Sequence, residues 1–371
     1  MTATDTQVTG RSDLVATMRR GAHRIRNVFP FRGVVLPWLI VRVIVVPILV
    51  VKTDPRVSIV PGQLLAMDGG WFRSIALDWY DRHDGVGGSA EYPFFPLFPG
   101  AGGVLMRAGV PSTVALAGLS WIAALVAMAG ARLLAAKHLG EGAARLTPWV
   151  IALAPGGLSL ILGYSDAFYL AALIWAVLAV DQRCWWLAGV LAGLATASRP
   201  NGVIACVAVV TIALGLRAGR RQLVVLVVPS IAFLAAWTAY LWSTTGDPLL
   251  FWTAKSQWLE TTLVEFVTHP LHQSLTVFHV VWLMAFLVPY LLRVRQQPPA
   301  WSVVVVLGVM PALALGVVGV ARYAILAFPL PIIAAQALSE RPRWVQVVAI
   351  TTMALALMLF SRLVVTQSWV P

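Results

Sequence analysis

The chain has 371 residues, 59% of them hydrophobic and only 11% charged, with a mean hydropathy of +0.83 and a formal net charge of +12. A soluble domain of this length needs far more charged surface, so the composition excludes a water-soluble globular protein and points to one dissolved in lipid. The excess of Lys and Arg then reads as membrane topology, with no nucleic-acid partner implied.

Residues 1–33 form a basic amino-terminal segment with Arg19, Arg20, Arg24, Arg26 and Arg32. The first apolar run, 34–51, contains Arg42 and lacks a small-residue cleavage pattern, which predicts a retained anchor and not a signal peptide. An arginine at that depth is a functional candidate because of its cost in lipid, or else a group bonded to carbonyls or tilted toward the interface. Apolar runs follow at 114–136, 148–162, 167–180, 187–197, 202–216, 223–242, 277–292, 301–320, 324–337 and 345–360. Several are short, and Pro155-Gly156-Gly157 and Pro311 interrupt two. Together they predict an all-α polytopic membrane bundle of about eleven transmembrane helices, with residues 34–371 as one domain.

Two long loops break the pattern, at 52–112 and 245–274. In the first, Leu64, Trp71, Phe72, Ile75 and Trp79 recur at three- and four-residue spacing. That predicts a short amphipathic helix, either at headgroup depth or packed on the bundle. The second holds Phe251, Trp252, Trp258, Leu259, Val264 and Phe266 among polar residues and reads the same way. With the amino terminus in the cytoplasm, Lys137, Arg145, Arg217, Arg220, Arg221, Arg293, Arg295, Arg341 and Arg343 all fall inside. Most acids, among them Asp68, Asp78, Glu91, Asp166, Asp247 and Glu260, fall outside. The expected location is therefore the cell membrane, multi-pass, with the active site on the non-cytoplasmic side. Cys184 lies at the inner end of one run and Cys206 within another, so a disulfide between them is not expected.

Asp68, Tyr164, Asp166, Arg199, Asn201, Asp247, Lys255, Arg322 and Tyr323 come from distant segments, yet this topology brings them all to the outer face. Arg199 and Arg322 sit at the ends of apolar runs with almost no loop around them. A planar guanidinium there suits a phosphate headgroup; the alternatives are pairing with Asp166 or Asp247, or anchoring a helix end. Asp68 reads equally as a helix cap or as a general base. Glycosyl transfer from a phosphate-linked sugar needs such a base but no protein acid, because the phosphate leaves as an anion. The clusters Asp81-Arg82-His83-Asp84 and His269-Pro270-Leu271-His272 lack metal-ligand spacing, so no metal and no cofactor are expected.

In these residues the chain resembles the integral-membrane mannosyltransferases related to the eukaryotic enzyme that adds the second mannose to glycosylphosphatidylinositol. The matching elements are Met67-Asp68-Gly69-Gly70-Trp71-Phe72-Arg73-Ser74-Ile75-Ala76, then Phe94-Phe95-Pro96-Leu97-Phe98-Pro99, and Ala154-Pro155 with Gly163-Tyr164-Ser165-Asp166. Ser198-Arg199-Pro200-Asn201-Gly202, Gly246-Asp247-Pro248, Ala321-Arg322-Tyr323 and Phe328-Pro329 follow in family order. Met67 stands where the family has Trp, and Phe98 where it has Tyr. The resemblance implies a type-C glycosyltransferase with Asp68 as catalytic base. It also implies a polyprenyl-phosphate sugar donor, usually mannose, and a lipid-linked or cell-envelope glycan acceptor. Tyr92, Tyr164, Asp166, Arg199, Asn201, Lys255, Arg322 and Tyr323 are the candidate donor- and substrate-binding residues. The cytoplasmic loops are too short to build a nucleotide-sugar site. Two alternatives stay open: another polyprenyl-phosphate sugar such as arabinose, or a transporter or flippase of a lipid-linked sugar.

Overall fold

The computed structural model describes residues 31–50, 61–80, 90–255, 274–315 and 319–366. All regular structure among them is helical. The first helix among the described residues is α1 (Phe31–Val50); α2 (Asp68–Asp78) and α3 (Leu97–Arg107) belong to the first long loop. Next come α4 (Ser112–Leu139), α5 (Glu141–Leu153), α6 (Asp166–Asp181), α7 (Trp185–Ser198), α8 (Val203–Gly215) and α9 (Arg220–Thr245). After the short α10 (Leu250–Thr253), the described residues of the second half form α11 (Ser274–Leu291), α12 (Pro299–Leu315), α13 (Val320–Leu326), α14 (Pro329–Ser339) and α15 (Arg343–Thr366).

Among the described residues the apolar runs are helical where expected, except that those at 148–162 and 324–337 are broken, and the lengths differ from uniform spans. The apolar cores of α1, α4, α9 and α15 are long enough alone to cross a bilayer, and α13 with α14 makes a fifth candidate, bent by 80°. The bend falls at Ala327-Phe328: Ala327 leaves the helical region (φ −76°, ψ 75°), and Pro329, at the start of α14, has no N–H to donate to the preceding turn. Others are shorter, such as the 16-residue α6, which reaches only about 24 Å at the helical rise. The run at 148–162 is likewise interrupted: α5 ends at Leu153, and a buried 3₁₀ turn, Pro155–Leu160, leads to α6.

One apolar core runs from Val34 in α1 to Phe360 in α15. Small residues let its helices approach closely, as expected where lipid supplies little hydrophobic drive between helices. A Cβ at Gly189 of α7 would lie 2.2 Å from the Val225 carbonyl oxygen of α9. The predicted loop helix is α2: it buries Phe72 and Ile75 and packs on α3 and the bundle. Tyr80, Tyr92 and Phe95 then pin the loop to Trp237 and Leu241 of α9. Of the second loop, Phe251 and Trp252 lie on or beside α10, whereas Trp258, Leu259, Val264 and Phe266 fall outside the described residues.

Candidate active site

The site is built where helices stop. Pro200 forces its predecessor out of the helical region, so Arg199 is extended (φ −168°, ψ 158°) and ends α7. Asp166 opens α6, where a carboxylate is favoured by the helix dipole. Arg322 lies in the first turn of α13, after Gly319 at φ +80°. Asp68 is the first residue of α2, after Met67 at φ +54°.

These four side chains form one continuous chain of alternating charge. Arg199 Nη1 donates to Asp166 Oδ1, and Arg322 Nε donates to Asp166 Oδ2. Arg322 Nη2 donates to Asp166 Oδ1 at 2.8 Å, and Nη1 donates to Asp68 Oδ2 at 2.7 Å. The Asp166 side chain is fully buried, while Asp68 and Arg322 keep 25% and 22% of their side-chain surface exposed. The cluster thus has a sealed end at Asp166 and an open end at Asp68. Its formal charge is zero, which makes the buried carboxylate tolerable; removing one partner of such a pair typically costs about 3–5 kcal/mol.

Aromatic rings line the guanidinium groups. The Arg322 guanidinium carbon lies 4.8 Å from the centre of the Tyr164 ring, and that of Arg199 lies 5.5 Å from Tyr169 and 5.7 Å from Tyr323. Tyr164 is fixed from several sides. Its hydroxyl donates to the Ala66 carbonyl at 3.1 Å, its carbonyl accepts from Ser120 Oγ at 2.6 Å, and Gly163 N donates to the Leu64 carbonyl at 2.8 Å. The broken segment before α6 is therefore bonded both to α4 and to the turn that precedes Asp68.

Tyr164, Asp166, Arg322 and Tyr323 thus stand with Asp68 and Arg199. The remaining candidates do not join them. Asn201 lies half-buried in the Pro200–Gly202 turn and Lys255 half-buried after α10; neither makes a hydrogen bond or ion pair with the cluster among the described residues. Tyr92 is buried in the separate aromatic cluster, stacked on Tyr80 with centroids 5.6 Å apart. There, burial pushes the Tyr80 phenol well above its ordinary pKa, and Glu91 adds to the effect. Asp247 accepts from Leu249 N at 2.9 Å and shapes its own turn; among the described residues it pairs with no arginine. Tyr169 was not singled out by sequence; its signal was its place three residues after Asp166, on the same helix face.

Arg42 belongs to a different network. Its Nη1 donates to the Trp38 carbonyl at 2.8 Å, and its guanidinium carbon lies 4.2 Å from the Trp38 ring centre and 5.4 Å from that of Trp121. Trp38 Nε1 donates to the Trp121 carbonyl at 2.8 Å, and Trp121 Nε1 to the Ile161 carbonyl at 2.7 Å. No group of three or more metal-type ligands occurs among the described residues.

No protein-family model matches the chain, and no curated protein matches it by sequence. By structure it is similar to oligosaccharyltransferases of Archaeoglobus fulgidus. A crystal structure in complex with zinc and sulfate gives a TM-score of 0.49 at 15% identity, covering 88% of this chain and 53% of that one. The archaeal oligosaccharyltransferase AglB, in complex with an inhibitory peptide and a dolichol-phosphate, gives 0.47 at 14% identity, covering 89% and 55%. The chain spans about half the length of these structural neighbours.

Proposed function

We propose that the chain is a membrane glycosyltransferase that moves a mannosyl residue, with inversion, from a polyprenyl-phosphate donor to a lipid-linked or cell-envelope glycan acceptor on the non-cytoplasmic side. The observation that carries the reading is the cluster itself: Asp68 and Arg322, 254 positions apart, meet at its open end. A carboxylate within reach of a guanidinium gives a hydroxyl a proton acceptor and a phosphate a planar donor pair. Asp68 is the general base. Arg199 and Arg322 hold the donor phosphate, and Tyr164, Tyr169 and Tyr323 wall the cations. The choice of mannose and of a polyprenyl carrier comes from the family resemblance.

Transport of a lipid-linked sugar would call for polar groups along a path through the bundle. Arg42, the charged residue placed deep in α1, is already engaged by a carbonyl and two indole rings, which weighs against that alternative. The decisive experiment incubates purified protein with polyprenyl-phosphomannose and candidate lipid or glycan acceptors and identifies products by mass spectrometry. Mannosylated acceptor with release of polyprenyl phosphate is expected. Donor left intact with every acceptor, or turnover only of a polyprenyl-phosphate pentose, would refute the mannosyl reading.

A further inference from the structure

The two arginines are bonded differently, and the difference follows the exposure of their partners. Arg322 commits Nε and Nη2 to Asp166, which is sealed from solvent, and a single N–H, on Nη1, to Asp68, which is not. The Asp166 end has nowhere to move: both its oxygens accept from arginine, and α6 starts at that residue. The Asp68 end is one hydrogen bond at the mouth of the site. Three of the five guanidinium N–H groups are thus taken; the remaining two, one on Nη1 and one on Nη2, can meet a donor phosphate, and a further one comes free for it only when Asp68 lets go.

From this we infer that Arg322 is an exchanging ligand: its Nη1 passes from Asp68 to the leaving phosphate as Asp68 takes up the acceptor's proton. The inference rests on the glycosyl-transfer reading above. In the transfer step the acceptor oxygen forms a bond to the anomeric carbon and its proton goes to Asp68. The bond between that carbon and the phosphate oxygen breaks, and its electron pair stays on the oxygen, turning a phosphodiester into a phosphomonoester. Negative charge therefore leaves Asp68 and appears on the phosphate in the same step. An N–H that follows the charge stabilises the transition state more than the ground state, where Asp68 still holds it. Arg199, whose one ion pair among the described residues is with Asp166, has no such exchange to make and serves donor and product alike.

The exchange is testable without knowing the acceptor, by equilibrium binding of a fluorescent polyprenyl monophosphate, the product class, to the full-length chain in nanodiscs. Asp68→Asn removes the competing charge and should tighten binding about 10-fold, the order of one charge-assisted hydrogen bond. The gain should vanish in Asp68→Asn combined with Arg322→Lys or Arg322→Gln, and persist when Asp68→Asn is combined with Arg199→Lys. Thermal unfolding of each variant identifies those that fold. Two Arg322 replacements are included so that one folded variant suffices. A gain that survives loss of Arg322 is the simple removal of a negative charge and overturns the exchange, as does no gain in Asp68→Asn. Wild-type protein that binds no polyprenyl monophosphate at any concentration fails the donor reading itself, and the exchange falls with it.

Discussion

Asp68 admits two roles that a single substitution separates. Asp68 lies inside α2, one residue past the cap position held by Met67, and its carboxylate accepts from Arg322, so capping is not its use in this structure. Asn is nearly isosteric and also caps helices well. Asp68→Asn should therefore insert and fold normally but transfer sugar about 10²–10⁴-fold more slowly, the usual worth of a positioned acid–base group. Steady-state turnover with polyprenyl-phosphomannose checks this, and near-normal turnover would move the base to another carboxylate. A second expectation concerns Arg199. Lys keeps the charge but loses the planar fork, so Arg199→Lys should raise the donor KM about 10-fold or more, with a smaller effect on kcat, since its contact is shared by donor and product. Identities of this kind were legible in the sequence, because charged residues at helix ends in lipid need a reason to be there. Their bonding was not. That Arg322 bridges two carboxylates depends on where α2, α6 and α13 converge, and no spacing along the chain encodes it.

At the level of elements, the helices were legible from apolar runs, and the places where they break were marked by proline and glycine. What those breaks touch was not. Gly156 lies in the buried turn before α6, and a Cβ there would stand 2.0 Å from the Ala321 carbonyl oxygen and 3.0 Å from the Arg322 nitrogen. The turn and the start of α13 are thus in backbone contact, which ties the position of Arg322 to that of Asp166. Gly156→Ala should push α13 away: activity should drop to near background and the melting temperature should fall, both measurable on purified protein. Gly118, which faces open space in α4, supplies the control, since Gly118→Ala should leave both unchanged or raise stability slightly through helix propensity. Tyr92 and Lys255 show the opposite limit. Membership of an outer loop placed them near the site by topology, but aromatic packing draws Tyr92 to α9, and Lys255 makes no hydrogen bond or ion pair with the cluster among the described residues.

Across the whole molecule, charge is sorted between the two ends of the bundle. The site cluster lies at the start of α6, whereas Lys137 and His138 pair with Asp181 at its other end, and Arg293 pairs with Glu340 where α11 and α14 end. Under the expected orientation the second set faces the cytoplasm. Cysteines at Ala108 and Pro248, both exposed near the ends of the two long loops, should label with an impermeant thiol reagent in intact spheroplasts. Those at Gly219 and Gln296, also exposed, should not, and the native Cys184 should behave like them. Labelling at Gly219 without labelling at Ala108 would invert the topology and place the proposed chemistry in the cytoplasm.

Met67 gives the site a property of its own. It holds φ +54° and ψ −118°, a conformation that glycine adopts freely and other residues rarely do, and it immediately precedes Asp68. The family resemblance has a tryptophan there, also with a side chain, so neither residue suits that backbone by its own preference. Such a residue persists because its surroundings over-determine it, at a cost of about 1–3 kcal/mol. The loop is therefore cocked against the bundle, and releasing it should make the protein sturdier but slower. Met67→Gly should melt no lower than wild type, although glycine ordinarily lowers stability, and should turn over less because Asp68 is no longer held to one direction. Met67→Val, branched at Cβ, should fail to accumulate as folded protein. A Met67→Gly variant that is both less stable and fully active would show that the side chain, and not the tension in its backbone, matters at this position.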